Sequence, residues 1–404
     1  MDAKSVGYTI SSLRKRNGLT QLELAKRLNV SDKTVSKWEN GLGYPEITQL
    51  PELAKLFCVS IDYLMTGERK GIAIAGNILT DVVKTVNDYP KQGMLSNILS
   101  VSRSVGGCVP NTAIDIAKID RSIPVGAIGK IGDDEYGRYV ISRLQKFGID
   151  TGKVSVSSTS PTSFSDVMSL PSGERTFFHA RGANAEFSPN DIDISSLGCK
   201  MLHIGYILLL DSFDKTDSEY GTVMARFLHD VKERGIETSI DVVSDSTADY
   251  KSAIVPALKY CDYVIINEIE CCGIWNISPY DQDGKIHIDN IKKAIRLTAE
   301  CGVQQKVVVH TKTLGICFDI KTDAFTVVPS LKIPVSAIKG SVGAGDAFCA
   351  GCLYSLYNGY SDIKMLEFAS AAAACNLLSE NSVDGMKTKD EIMNIAASYK
   401  RQKL

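Results

Sequence analysis

Apolar residues recur at helical spacing at Ile10 and Leu13, and again at Leu22 and Leu24, around a break at Asn17–Gly18. Thr20 precedes Gln21-Leu22-Glu23, which predicts an N-cap with Glu23 completing a capping box. The helix from Gln21 is expected to end near Leu28, with Asn29 in the left-handed conformation of a tight turn. Ser31 then caps a second helix, Asp32 to Asn40, closed by Gly41. Val35 and Trp38 share one face of it, and Lys33, Thr34, Ser36 and Lys37 share the other. After the polar stretch Thr66–Gly71 the pattern changes to short apolar runs at 71–76, 201–206, 238–243, 263–266 and 306–310. Helical stretches at 221–233, 251–260 and 288–301 lie between them. Strands alternating with helices imply a mostly parallel sheet covered on both faces.

Length and composition fit this division. A chain of 404 residues is expected to hold two or three domains. The boundaries read as a helical domain at 1–67, a linker at 68–71 and an α/β body at 72–404. The 44% hydrophobic and 23% charged fractions are those of a folded globular protein. Residues 1–70 carry 11 Lys and Arg against 8 Asp and Glu, whereas the remainder carries 34 against 39, so the two ends suit different partners. Met1–Ile10 has no signal-peptide core, and no apolar run reaches the ~20 residues of a membrane helix. The eleven scattered cysteines suit free thiols in a reducing cytosol, so a cytoplasmic location without membrane contact is expected. Cys349–Cys352 reads as two small side chains on one side of a helix, with a redox or metal role as the lesser alternative. The five histidines form no spacing of a structural zinc site.

Two short helices, a four-residue turn and a basic exposed face form a helix-turn-helix, whose second helix enters the DNA major groove. The stretch TQLELAKRLNVSDKTVSKWENG resembles the Cro/lambda-repressor (XRE) family, and the resemblance extends over residues 5–67. It implies that Gln21 contacts a phosphate or base edge and that Asp32, Lys33, Thr34 and Lys37 face the groove. It also implies a core of Ala25, Val30, Val35 and Trp38. A double-stranded operator bound by a homodimer is therefore expected. The alternative is a five-helix module that has lost DNA binding and serves for oligomerisation or protein contact.

In the body, no G-x-x-x-x-G-K-[ST] occurs and no G-x-G-x-x-G follows the first strand, which excludes a P-loop and disfavours a dinucleotide fold. Gly343-Ala344-Gly345-Asp346 instead opens an apolar helix running to Tyr357. Three small residues leave backbone amides bare at a helix N-terminus, an anion hole suited to phosphate, with a carboxylate placed to take a proton from an attacking hydroxyl. Taken alone, the motif also reads as a glycine-rich turn with an Asp cap.

Gly106-Gly107-Cys108-Val109-Pro110-Asn111, then Gly129 to Gly137, then Asn267-Glu268-Ile269-Glu270 and finally GAGD occur in an order that resembles the ribokinase-like (PfkB) carbohydrate kinases over about 71–390. The resemblance implies a ribokinase-like three-layer α/β sandwich with a small β lid at about 82–104 and 162–181. It implies Asp346 as general base and Gly343, Ala344 and Gly345 as the anion hole. Asn267 and Glu270 would hold Mg²⁺ and the phosphates of ATP, mostly through water. Asp81, Gly106, Gly107, Asn111 and Asn184 would bind or shape the sugar pocket, and Gly315 and Asn376 would lie by the nucleotide. Plain alternatives are a cap for Asp81, a turn residue for Asn267 and a structural role for Asn376. Three departures stand out. Gly340-Ser341-Val342 replaces the family's Asp-Thr-x, whose Asp is a monovalent-cation contact in ribokinases, so potassium activation is open. Lys312 or Thr313 stands where a glycine is expected before Gly315, and Asp241-Val242-Val243-Ser244 lacks the usual polar set. The reading that results is an ATP-dependent sugar kinase fused to a DNA-binding module. The alternatives are a repressor with a non-catalytic sugar sensor, and a nucleoside kinase.

Overall fold

The computed structural model describes residues 2–57, 59–170, 174–244 and 249–403. The chain divides into two compact units, Met1–Gly71 together with Asp193–Lys200, and Ile72–Ile192 together with Met201–Leu404.

The first unit holds helices α1 (Ala3–Arg16), α2 (Gln21–Arg27), α3 (Asp32–Glu39), α4 (Gln49–Phe57) and α5 (Ile61–Thr66). Local signals set their ends. Thr20 and Glu23 form the expected capping box, Ser31 caps α3 and Asn29 is left-handed with φ 54°. Ile10, Leu24, Val35 and Trp38 meet in one apolar core. Below it, Arg14 donates to both oxygens of Glu39 (2.6 and 2.9 Å), and Gln21 donates to the same carboxylate at 2.8 Å. Burial pushes the Glu39 carboxyl up, but these bonds outweigh it and hold the group ionised. The segment Asp193–Lys200 joins this unit through Arg69, which donates to the Leu197 carbonyl at 2.7 Å.

The second unit contains strands β1 (Ile72–Gly76), β2 (Leu79–Val86), β3 (Ile98–Gly106), β4 (Val125–Gly132), β5 (Asp150–Ser157), β6 (Ser163–Ser169), β7 (Arg175–Ala180) and β8 (Met201–Ile207). Short strands β9 (Thr216–Asp217) and β10 (Gly221–Thr222) follow, then β11 (Glu237–Val242), β12 (Tyr263–Asn267), β13 (Lys306–His310), β14 (Leu314–Asp319) and β15 (Ala324–Pro329). Its helices are α6 (Cys108–Ile119), α7 (Glu135–Lys146), α8 (Val223–Glu233), α9 (Tyr250–Leu258), α10 (Glu268–Gly273), α11 (Ile288–Glu300), α12 (Ala344–Tyr357), α13 (Asp362–Leu377) and α14 (Lys389–Ser398).

Nine strands form one sheet in the order β15-β14-β13-β12-β11-β8-β1-β4-β5. All neighbours are parallel from β13 to β5, and the β13-β14-β15 end is antiparallel. The fully buried β1 (IAIAG) is continuously apolar because helices cover both faces. Helices α6, α7, α12, α13 and α14 pack on one side, and α8 to α11 on the other. A separate four-stranded sheet, β3-β2-β6-β7, takes up most of the stretches expected to form the lid; their residues 171–173 lie outside the described residues. One expected helix starts later than its pattern suggests. Gly221 and Thr222 form β10, and Thr222 caps α8 by accepting from the Ala225 amide at 3.1 Å.

Candidate active site

The parallel strands β8, β11, β12 and β13 all end at one side of the sheet, where ligands of open α/β folds bind. A cavity of about 260 Å³ opens there, lined by Tyr206, Asp241, Ser244, Asn267, Glu270, His310, Gly343, Gly345, Asp346 and Cys349, among others.

Asp346 occupies the first turn of α12 and is buried. Gly343, in the left-handed conformation at φ 79°, is the residue that lets the chain turn into this helix. The Ala344 amide donates to the Ser341 carbonyl at 3.3 Å, whereas those of Gly343, Gly345 and Asp346 have no partner among the described residues. Three bare N–H groups at the positive end of a 14-residue helix therefore border the cavity beside a carboxylate. Asn111 donates to Asp346 Oδ2 at 2.9 Å and Tyr206 donates to the same oxygen at 3.2 Å. Burial, with Asp241 nearby, pushes the Asp346 carboxyl up to about 7, against the lowering effect of those two bonds. It can thus exchange a proton near neutral pH.

The partners of Asp346 are themselves fixed. Asn111 lies in the first turns of α6 and accepts from Ser382 at 2.7 Å. Tyr206 sits at the end of β8 with φ 61°, a conformation unusual for a tyrosine, and its amide donates to Asp241 Oδ1 at 2.5 Å. Asp81 lies on β2, opposite Ser104 and Ser165 in the small sheet. Burial, with Asp346 adding to it, pushes its carboxyl up to about 7. A side chain at Gly106 would strike the Asp81 carboxylate and Leu79, so either would have to shift to admit one. Gly107, at φ 87°, begins α6 against the Asn77 carbonyl.

Asn267 and Glu270 cap α10 reciprocally. The Asn267 amide donates to Glu270 Oε2 at 2.9 Å, and Asn267 Nδ2 donates to Oε1 at 2.7 Å. Ser244 donates to that oxygen at 2.8 Å. Burial raises the Glu270 carboxyl to about 8. The cavity lining thus holds three carboxylates, of Asp241, Glu270 and Asp346, and no Lys or Arg among the described residues. With no basic side chain in this lining, a polyphosphate entering it needs a divalent cation to offset its own charge, and Asn267 with Glu270 offers oxygen ligands for one.

Other expected site residues lie outside the cavity lining. Asn184 is buried and spent on the backbone of Ile78, accepting from its amide at 3.0 Å and donating to its carbonyl at 3.1 Å. Asn376 donates to the carbonyls of Val342 (3.1 Å) and Ser382 (3.2 Å), and so braces the loop that leads into Gly343. Gly315 pairs with His310 inside the sheet, packs on Phe348 and Leu366, and does not line the cavity. Gln21 is engaged with Glu39, while Asp32, Lys33 and Lys37 are exposed on α3 and Thr34 shares its hydroxyl with Ser31 at 2.8 Å. Sequence reasoning missed Tyr206 and His310. His310 ends a parallel strand, and that position was the available signal. Burial drops its imidazole to about 4, so it stands neutral beside Gly345.

Comparison with known proteins agrees with this fold. The profile of the "pfkB family carbohydrate kinase" matches residues 69–389, and a helix-turn-helix profile matches residues 10–64. The chain is 24% identical over 314 residues to a 5-dehydro-2-deoxygluconokinase of Geobacillus thermodenitrificans, covering 74% of this chain and 86% of that one. It is 22% identical over 338 residues to fructokinase-1 of Zea mays, covering 82% and 99%. Among solved structures, the ribokinase of Arabidopsis thaliana complexed with ribose and ATP superposes with a TM-score of 0.68 at 19% identity, covering 81% of this chain and 99% of that chain. A chain from E. coli solved with ATP and Mg²⁺ gives 0.65 at 20% identity, covering 81% and 99%. No described helix is long and apolar enough to cross a membrane. The protein is a carbohydrate kinase of the pfkB family that carries an N-terminal helix-turn-helix domain.

Proposed function

We propose that the chain transfers the γ-phosphoryl group of Mg-ATP to a sugar hydroxyl, and that Asp346 takes the proton of that hydroxyl. The observation that carries this reading is the pairing of Asp346 with three unpartnered amides at the start of α12. A carboxyl titrating at about 7 suits a base working near neutral pH. Asn111 and Tyr206 aim its Oδ2, and the amides of Gly343, Gly345 and Asp346 hold charge on the transferred group. Asp81, on the small sheet, holds sugar hydroxyls, with Gly106 and Gly107 shaping the approach. Mg²⁺, held by Asn267 and Glu270 largely through water, offsets the phosphate charge. Asn184 and Asn376 position these elements rather than touching ligand.

Through Lys33, Lys37 and Asp32, α3 reads an operator, and two copies of the chain bind its half-sites. Sugar occupancy changes operator affinity, which requires the sugar to bind the two DNA-binding states unequally. Such a regulator works in the cytoplasm, where DNA and ATP are both present.

The test is release of ADP from Mg-ATP across pentoses, hexoses, their phosphates and nucleosides, followed by operator binding with and without the active sugar. Turnover on one sugar establishes the substrate. Equal operator affinity in both conditions rejects the regulatory part.

A further inference from the structure

Three residues far apart in sequence meet beside the cavity, two of them in its lining. His203 on β8, Asp241 on β11 and Cys349 on α12 are all buried, and their donor atoms lie within 4.8 Å of one another. His203 Nε2 is 3.2 Å from Asp241 Oδ2 and 3.6 Å from Cys349 Sγ. Tetrahedral bonds of about 2.0–2.3 Å place neighbouring N, O and S donors about 3.3–3.6 Å apart. The two distances from His203 Nε2 match edges of such a polyhedron, and the Asp241–Cys349 pair lies within 4.8 Å. We propose that His203, Asp241 and Cys349 form a transition-metal site for a zinc-like divalent cation, separate from the magnesium that accompanies ATP.

The donor set selects the ion. One imidazole, one carboxylate and one thiolate suit Zn²⁺ and Co²⁺ and not Mg²⁺, which takes oxygen ligands in an octahedron. The supporting shell is in place. His203 Nδ1 lies 3.0 Å from the Ser239 hydroxyl, which fixes the ring with Nε2 toward the other two donors. Asp241 uses Oδ1 to accept from the Tyr206 amide and leaves Oδ2 facing Nε2. Entry is available because Asp241 and Cys349 both line the cavity, whose open side leaves a fourth position for water.

Binding replaces a proton. The Cys349 thiol is buried and faces His203 Nε2 at 3.6 Å. The step is Cys–SH plus M²⁺ giving Cys–S–M⁺ plus H⁺.

The experiment is a Co²⁺ titration of full-length protein freed of metal by a chelator that is then removed. The expected result is one equivalent bound, with tetrahedral ligand-field bands and a thiolate-to-cobalt charge-transfer band. Zn²⁺ displaces the cobalt and millimolar Mg²⁺ does not. Cys349→Ala abolishes the charge-transfer band, Cys352→Ala retains it, and Asp241→Asn weakens Co²⁺ binding tenfold or more. Thermal melts check that each variant folds. A wild-type protein without the band, or a folded Cys349→Ala protein that keeps it, overturns the proposal and leaves His203 as a hydrogen-bonded core residue.

Discussion

Replacing Asp346 with Asn separates the cost of the site from its use. In the folded protein the carboxyl is pushed from an ordinary 3.8 up to about 7, chiefly by burial. A folded-state value above the unfolded one means that stability is fully present below about pH 4 and is lost as pH rises toward 7. The gap corresponds to about 4 kcal/mol at pH 7 and above, and to less than half of that at pH 5. Asn removes the titration while its carbonyl oxygen still accepts from Asn111 or Tyr206. The variant should therefore melt higher than wild type by about 6 °C at pH 8, for a body of this size, with a smaller gain at pH 5. It should also lose about 10²–10⁴ in kcat, as expected when a general base is removed. Wild-type activity should rise with pH to a plateau above about 7 as Asp346 ionises. Calorimetry at pH 5 and 8 with steady-state kinetics measures both effects. A variant that is less stable at pH 8, or whose gain does not grow with pH, refutes the reasoning that burial of a charged Asp346 is held against folding.

Further substitutions probe the surrounding parts. Asn184→Ala leaves the buried amide and carbonyl of Ile78 unpaired and should cost about 2–4 kcal/mol, read as a lower Tm, because each orphaned group costs about 1–3 kcal/mol. Glu270→Gln should raise KM for Mg-ATP about tenfold, equivalent to about 1.4 kcal/mol, and leave KM for the sugar unchanged in steady-state kinetics. Lys33→Ala and Lys37→Ala should each weaken operator binding and reduce the slope of log affinity against log salt by about one, measured by titration at several salt concentrations.

The helix-turn-helix was legible because its signals are local. The Thr20–Glu23 box, the Ser31 cap and the left-handed Asn29 are each encoded within a few residues. The parallel strands were legible as apolar runs for the same reason. The Gly343–Asp346 turn at the start of α12 was legible because small residues in sequence leave a helix N-terminus bare. What escaped depends on residues brought together from distant strands. Tyr206 reaches Asp346 across 140 positions, and His203 reaches Cys349 across 146, so no spacing announces either contact. The absence of a Cys/His pattern thus excluded a zinc-finger spacing but was blind to a cluster assembled by the sheet. Asn184 and Asn376 carried the right residue type, yet burial turned their amides toward backbone. The Gly221–Thr222 strand was masked because both residues precede an apolar helical run without interrupting its period.

The central claim is that Asp346 and the start of α12 transfer phosphate to a sugar. Its most direct test follows labelled γ-phosphate from Mg-ATP into sugar phosphate, with wild type and Asp346→Asn side by side on the sugar panel. The account predicts labelled product from one or a few sugars with wild type and a loss of at least about 10² with the variant. A folded wild type that labels no sugar, or an Asp346→Asn protein that labels one at the wild-type rate, contradicts it.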